Sequence, residues 1–377
     1  MFSMILYVSV SIVMYSYFGY PLSLYLISLI IVKRNEKKTI HPQVTFIVAA
    51  YNEKERIKEK IENTLSVSYP KDKLEIIFVS DGSTDGTNEI ISSYAGKGID
   101  ILFLPIRGGK EIAQREAVKK SGGEILVFSD VSTMVEPNGI EQIVSNFADP
   151  RVGCVSSRDV VIGPDGSLGG EGLYVRYEMW LRKLESKVNS LVGLSGSFFA
   201  ARRDVCNDFA EDLDSDFLTL LNSVKVGKRG IIDPMAIGYY REISDPRKEF
   251  DRKVRTILRG ITVFFRNTEY LNIFKYGLFS YQYLCHKLLR WLVPFFMITS
   301  FLAIGVMSFN SLVYSILFIL IFAVLSYSLL IHMKFIANPI RIMTVPVYFI
   351  VVNLSILTAW WKYLKKERVT VWDPTKR

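Results

Sequence analysis

The chain has 377 residues, 50% of them hydrophobic, and a formal net charge of +9, with a mean hydropathy of +0.24. A soluble domain of this size is more polar, so the composition excludes a wholly soluble protein and points to a soluble core joined to membrane-spanning helices. Cys154, Cys206 and Cys285 have neither pairing nor metal-type spacing and suit a reducing compartment, and three histidines far apart exclude a histidine-based metal site.

Phe2 to Val32 carries no charge and exceeds the roughly 20 residues a span needs. It lacks a basic start and a small-residue cleavage site, so a removable signal peptide is not expected. Gly19-Tyr20-Pro21 is a candidate kink. Lys33, Arg34, Lys37 and Lys38 follow directly, and the positive-inside rule then places the middle of the chain in the cytoplasm. The positive excess is thereby assigned to a membrane surface and not to nucleic acid.

Ile40 to about Ser244 reads as one α/β domain. Val44 to Ala50, Glu75 to Val79, Ile101 to Leu104 and Glu124 to Phe128 are short, mostly apolar runs of the kind that form buried parallel strands. Polar helical stretches lie between them, Lys54 to Leu65 and Asp85 to Tyr94 among them. This alternation predicts a doubly wound sheet.

Pro246 to Arg266 brings Phe250, Val254, Ile257, Leu258, Ile261, Phe264 and Phe265 together mostly at three- and four-residue steps, with basic residues interleaved. It is an amphipathic helix, suited to anionic lipid or to packing on the α/β domain. Tyr270 to Arg290 is aromatic but carries Lys275, Lys287 and Arg290, and is expected at the interface. Trp291 to Ile331 is charge-free and long enough for two spans with a turn near Phe309-Asn310, and Ile342 to Trp361 is a further candidate. Three C-terminal spans would put Lys362, Lys365, Lys366 and Arg368 outside, against the positive-inside rule. Pro346 and Asn353 suit a re-entrant or interfacial segment, which returns the tail to the cytoplasm.

Four runs bear chemistry: VTFIVAAYNE (Val44 to Glu53), IIFVSDGSTDGT (Ile76 to Thr87), ILVFSDVST (Ile125 to Thr133) and DLDSDF (Asp212 to Phe217). A carboxylate at a strand's C-terminal end projects into the crevice where α/β sheets bind ligands. Asp81 can accept hydrogen bonds from a base or ribose there, although Asp-Gly-Ser alone is also an ordinary strand–turn–helix cap. Asn52 and Glu53 have the same two readings. Asp130 is a natural ligand for a hard cation bridging diphosphate oxygens, or the cap of a turn. Asp212, Asp214 and Asp216 suit a helix start by their charge; a carboxylate crowded by others also has the raised proton affinity of a general base. The small residues of GLSGSFFAARRDV (Gly193 to Val205) fit either close substrate approach or a tight buried turn.

Order and spacing together resemble the family 2 glycosyltransferases, in the membrane-bound branch similar to cellulose, chitin and hyaluronan synthases. The resemblance covers about Val44 to Arg266, with echoes in GGK (Gly108 to Lys110), GLYVRYEMWLRKLES (Gly172 to Ser186), VGKRGIIDPMAIGYY (Val226 to Tyr240) and EFDRKVRT (Glu249 to Thr256). It implies a GT-A type fold, Rossmann-like with a mostly parallel sheet, flanked by transmembrane and interfacial helices. It also implies a nucleotide-diphospho-sugar donor and a divalent cation, Mg or Mn. Ala50, Tyr51, Glu53 and Asp81 then fall where the family holds the nucleotide, and Lys110 near the base or diphosphate. Asp130 takes the metal-binding position of the Asp-x-Asp motif, and Asp214 that of the catalytic base, with Asp216 as neighbour and fallback. Arg252 and Arg255 match the Gln-x-x-Arg-Trp motif near diphosphate and acceptor. Ser132 stands in place of the second metal-motif carboxylate, Leu213 in place of the Glu before the base, and Arg252 and Thr256 in place of Gln and Trp.

The implied organisation is a transmembrane segment over 1–38, a GT-A domain over 39–245, interfacial helices over 246–290 and a membrane region with a basic tail over 291–377. The implied function is inverting transfer of a hexosyl or N-acetylhexosaminyl group to a glycan or lipid-linked acceptor at the cytoplasmic face of the cell membrane, in envelope or extracellular polysaccharide synthesis. The short C-terminal hydrophobic region leans toward single-sugar transfer over a processive synthase. A non-catalytic nucleotide-sugar sensor or scaffold is the alternative that Ser132 supports. A transporter component fits poorly, because no expected span carries an ionisable group.

Overall fold

The structure, a computed structural model, describes residues 1–162, 173–207, 209–210, 212–241, 245–332 and 343–371. Gly172, Ser244 and Ile342, which bound runs named above, lie outside the described residues. The chain divides into two units, Met1–Ile27 with Asp245–Arg368, and Ser28–Ser244 with Val369–Arg377.

The second unit is built on an eight-stranded sheet in the order β3-β2-β1-β4-β7-β6-β8-β5. The strands are β1 (Val44–Ala50), β2 (Leu74–Asp81), β3 (Asp100–Leu104), β4 (Ile125–Asp130), β5 (Thr133–Val135), β6 (Val152–Ile162), β7 (Phe198–Arg202) and β8 (Arg229–Arg241). β1 runs parallel to both β2 and β4, β2 to β3, and β6 to β8. The β4–β7, β6–β7 and β5–β8 joins are antiparallel, so the sheet is mixed and mostly parallel.

The continuous apolar runs have a simple cause. Successive side chains of a strand face opposite ways, so a sheet covered on both faces needs apolar residues at every position. Phe46, Val48 and Ala50 of β1 pack with Ile57, Ile61 and Ile140 on one face. Ile47 packs with Ala113, Ala117 and Leu220 on the other. The four predicted strands are present to within two residues at each end. β7 falls inside the Gly193 to Val205 run.

The strand order reverses beside β1, which has β2 on one side and β4 on the other. Such a switch point opens a crevice at the carboxyl ends of the strands. Ala49 pairs with Asp130 and Ala50 with Ser80, so Asp130 and Asp81 end on the same sheet edge.

Phe2–Ile30, all but its last three residues in the first unit, and Leu278–Ser308, Leu312–Ile331 and Val345–Leu364 within that unit are long and apolar enough to cross a membrane. A π-helical turn, Tyr15–Gly19, sits at the expected kink. Tyr270 to Arg290, expected at the interface, contains the start of one of these helices. The helical run begins at Leu278, just after Gly277 with its φ of 54°, and continues through Lys287 and Arg290 to Ser308. Arg290 is buried, its guanidinium 5.5 Å over the Tyr17 ring, so an aromatic face accommodates the charge inside the hydrophobic helix. Ionisable groups therefore do occur in a candidate span.

The amphipathic helix Pro246–Arg266 forms as the periodicity predicts. Asp245 caps it by accepting from the Arg247 N–H, and Pro246 opens the first turn. Its partner within the unit is the helix Thr344–Leu364. Phe265 lies 5.7 Å from the Trp360 ring and 5.6 Å from that of Tyr363, and Lys253 sits 5.3 Å over Tyr348.

Candidate functional site

The loops after β1 and β2 are stitched to each other. Asn52 takes a left-handed φ of 50°, which lets its Oδ1 accept from the Thr84 N–H at 2.9 Å while its own N–H donates to Ser83 Oγ at 3.1 Å. Asp85 accepts from the Lys54 and Thr87 N–H groups, both at 3.0 Å. Partial burial pushes the Asp85 carboxyl up, but hydrogen bonds from Thr87 and Lys54 outweigh it and hold the pKa below the ordinary value. Ala50 ends β1, buried, and Tyr51 follows it into the loop.

Glu53 is buried, and Arg56 binds its carboxylate, with Nε at 2.8 Å and a second nitrogen at 2.6 Å. Burial raises its pKa, with Arg56 opposing. Its N–H donates to Thr87 Oγ1 at 2.9 Å. Both ends of Glu53 thus fix the shape of the loop.

Asp81, at the end of β2, is 3% exposed. Its two carboxylate oxygens accept from the Gly108 and Gly109 N–H groups at 2.7 and 2.8 Å. It therefore clamps the Gly-Gly turn that opens the helix Lys110–Lys120. Gly109 has φ 97°, and a Cβ there would lie 2.5 Å from the Thr370 carbonyl oxygen, so the turn admits only glycine. Arg107 lays its guanidinium 3.7 Å over the Tyr51 ring, joining this turn to the loop after β1. The sequence reading missed Arg107; a cation directly before Gly-Gly-Lys was the available signal.

The Lys110 ammonium donates to Asp130 Oδ1 at 2.5 Å and to the Gly196 carbonyl at 2.9 Å. Burial alone would lower its pKa, but Asp130, with Asp216 and Glu111 adding, outweighs it and leaves the pKa raised. Asp214 is the half-buried N-cap residue of the helix Ser215–Lys225. Asp216 sits in its first turn, its carboxylate packed so closely on Gly196 that a Cβ there would overlap it. Ser215 donates to Gln114 Oε1 at 2.6 Å, tying this helix start to the one that carries Lys110.

The Ser195–Ser197 turn has its own anchor. Asp159 of β6 accepts from Ser195 Oγ at 2.5 Å and Ser197 Oγ at 2.7 Å. Ser156 accepts from the Ser195 N–H at 2.8 Å. Asp159 also escaped the sequence reading, since nothing in the β6 run marks it. A third surprise is Lys60, fully buried, with Nζ donating to Ser129 Oγ at 2.8 Å and the Thr133 carbonyl at 2.5 Å. Burial lowers its pKa to about 7, with Asp130 opposing.

The structure thus gathers Asp81, Lys110, Asp130 and Asp216 around the carboxyl ends of β2 and β4. Arg252 and Arg255 belong to the other unit, on the helix Pro246–Arg266, where Arg252 binds Glu249 with both contacts at 2.8 Å. Among the described residues no three His, Cys, Asp or Glu side chains form a metal cluster. Asp130 as a single carboxylate suits a cation whose other ligands are phosphate oxygens and water.

Residues 45–209 match the family described as Glycosyl transferase family 2. These residues are a family 2 glycosyltransferase domain. Over 190 residues the chain is 27% identical to the poly-beta-1,6-N-acetyl-D-glucosamine synthase of Staphylococcus epidermidis, covering 48% of this chain and 45% of that one. Over 169 residues it is 30% identical to the glycosyltransferase AglE of Haloferax volcanii, covering 44% and 55%. The chain spans about half the length of these curated relatives. The mannosyltransferase PcManGT from Pyrobaculum calidifontis, solved in complex with GDP-Man and Mn2+, superposes with a TM-score of 0.76 at 21% identity over 96% of this chain and 99% of that one. That likeness shows a shared fold, the GT-A type expected from the motifs. The glycosyltransferase domain match takes in Asp81, Lys110, Asp130 and Asp159 and ends at residue 209, before Asp214 and Asp216.

Proposed function

We propose that this protein is an inverting glycosyltransferase that moves a sugar from a nucleotide-diphospho-sugar to a glycan or lipid-linked acceptor at a membrane. The observation that carries the reading is the convergence of Asp81, Lys110, Asp130 and Asp216 at the switch point of a family 2 glycosyltransferase domain. The nucleotide lies across the loops after β1 and β2, where the clamped Gly-Gly turn offers close backbone approach and the stacked Tyr51–Arg107 pair offers a planar face. The sugar diphosphate points toward Lys110 and Asp130. Asp130 would hold a divalent cation, which when bound supplies positive charge to the departing diphosphate.

In the transfer, Lys110 donates to the diphosphate oxygens and stabilises charge as the glycosidic bond to the nucleotide breaks. Asp214 accepts the proton of the acceptor hydroxyl, whose oxygen forms the new bond to the anomeric carbon from the opposite side. Asp216 contributes to holding Lys110 charged, which supports a positioning role for it beside Asp214 as the base. The Ser195–Ser197 turn, anchored by Asp159, is the floor on which the sugar rests.

The candidate spans support a membrane location, with the catalytic unit on the cytoplasmic side. Thr370 lies against Gly109 in the same unit. This supports a tail on the catalytic side, with Thr344–Leu364 lying along Pro246–Arg266 in the interface. The similarity to a poly-N-acetylglucosamine synthase over part of its length favours an N-acetylhexosaminyl donor. A screen of nucleotide-sugars for thermal stabilisation, with and without Mn2+, tests the reading. Stabilisation by one donor class, followed by its transfer, supports it; failure of every donor to bind overturns it.

A further inference from the structure

The catalytic unit holds a cavity of about 340 Å³ whose wall carries five cationic side chains, Lys33, Lys37, Lys183, Lys187 and Arg229, and one carboxylate, Asp233. It is not part of the donor site. Arg229 begins β8, which is parallel to β6; β6 and β4 are both antiparallel to β7, so β4 and β8 run the same way. The start of β8 is therefore on the sheet edge opposite Asp81 and Asp130.

The charge on its wall is unbalanced. Asp233 is taken by Lys37 at 2.8 Å and by Asn146 Nδ2 at 2.6 Å. Lys33, Lys187 and Arg229 donate to neutral oxygens. Arg229, 8% exposed, donates to the Lys33, Ser186 and Asn189 carbonyls at 2.9, 3.3 and 3.2 Å. Lys33 Nζ donates to Asn189 Oδ1 at 2.5 Å. Burial, then Arg229 and Arg151, lower the Lys33 pKa; burial and Arg151 lower that of Arg229, with Asp149 opposing. These cations repel one another, and an entering anion relieves the repulsion. The guanidinium, held in place by the three carbonyls that its terminal nitrogens donate to, sets a fixed positive charge at the base of the cavity for an anion.

The cavity is also tethered to a hydrophobic helix end. Lys33 follows Ile30, the last residue of the first candidate span, by three residues, a reach of roughly 10 Å. Lys187 Nζ contacts Ser28 Oγ in that helix's last turn at 3.4 Å, and the Lys33 N–H donates to the Lys187 carbonyl at 2.8 Å. Lys183 and Lys187, four residues apart, share one exposed helix face beside it.

We propose that this cavity binds the phosphate of an anionic lipid headgroup and so docks the catalytic unit on the membrane surface. A phosphodiester with a small headgroup suits a volume walled by these cations, and the helix end beside it sets the acyl chains in the bilayer. The site is an anchor and not the acceptor site, because it opens on the opposite sheet edge from the proposed chemistry.

The test uses the full chain in an uncharged detergent. Melting temperature is read after adding short-chain phosphatidylglycerol, short-chain phosphatidylcholine or inorganic phosphate. Wild type is expected to rise by on the order of 5 °C with phosphatidylglycerol and to move little with the other two. Lys183→Gln with Lys187→Gln, both exposed and therefore tolerated by the fold, should lose most of that rise. Lys71→Gln with Lys97→Gln, a matched loss of charge outside the cavity wall, should keep it. An equal rise in wild type and in the cavity variant, or no rise at all, overturns the site. An equal rise with inorganic phosphate overturns the lipid as its source.

Discussion

Lys110 and Asp130 form a 2.5 Å ion pair that also reaches the Gly196 carbonyl, so a single ammonium joins the end of β4 to the turn before β7. The charge is held where a diphosphate would arrive, and Asp130 and Asp216 keep it protonated against burial. Replacing it with Lys110→Met should lower the rate of transfer by about 10²-fold while the protein still folds, since the lost interaction acts on developing charge. Lys110→Arg, which keeps the cation, should recover part of that loss. Steady-state kinetics on purified variants, with melting temperature as the folding control, decide this.

Asp81 is predicted to matter for stability as well as for donor binding. An Asn at 81 can accept from only one of the two glycine N–H groups and turns its own N–H2 toward the other. Asp81→Asn should cost about 2 kcal/mol in chemical denaturation, because it leaves a buried donor unmet beside a lost charge-assisted bond. Donor affinity should fall with it, as the Gly108-Gly109 turn relaxes away from its φ of 97°. Unchanged stability would mean that the turn holds itself.

Lys60 gives a pH signature. Its folded pKa is about 7 against an ordinary 10.5. Between these values the unfolded chain binds a proton that the folded chain does not, so raising the pH through that window favours folding. Below about 7 both states are protonated and the cost of burying the charge is present in full. Wild type should therefore gain stability from pH 7 toward 10 relative to Lys60→Met, which should show no such gain. Melting curves of the two proteins across that range measure the difference.

The sheet half that builds the donor crevice was legible in the sequence because its strands are buried on both faces, and β1, β2 and β4 are then mostly apolar up to their polar ends. The other half was harder to read. β6 carries Ser156, Ser157 and Asp159 among its apolar residues, and β8 is interrupted by Asp233-Pro234, so neither makes a continuous run. Asp81 and Asp130 were placed correctly at strand ends by the same logic. Their partners were not predictable: Gly108 and Gly109, which Asp81 meets, and Lys110, which Asp130 meets, are distant from them in sequence, and such pairings depend on register. Lys60 was hidden for a different reason. A lysine on a polar helix reads as solvated, and only the packing of Ile57–Leu65 on the sheet turns it inward. The start of the Leu278 helix was not legible because Lys287 and Arg290 raise local polarity, while the aromatic ring that Arg290 lies over, Tyr17, is far away in sequence.

The most direct test of the account measures donor binding and sugar transfer in wild type, Asp214→Asn and Asp216→Asn with the nucleotide-sugar that the screen identifies. The account predicts that Asp214→Asn loses transfer by at least about 10²-fold while donor-induced stabilisation is retained. Asp216→Asn should weaken transfer less and shift the dependence on Lys110. Wild-type turnover in Asp214→Asn would contradict the assignment of the base, and absence of transfer by wild type with a donor that binds would contradict the glycosyltransferase reading itself.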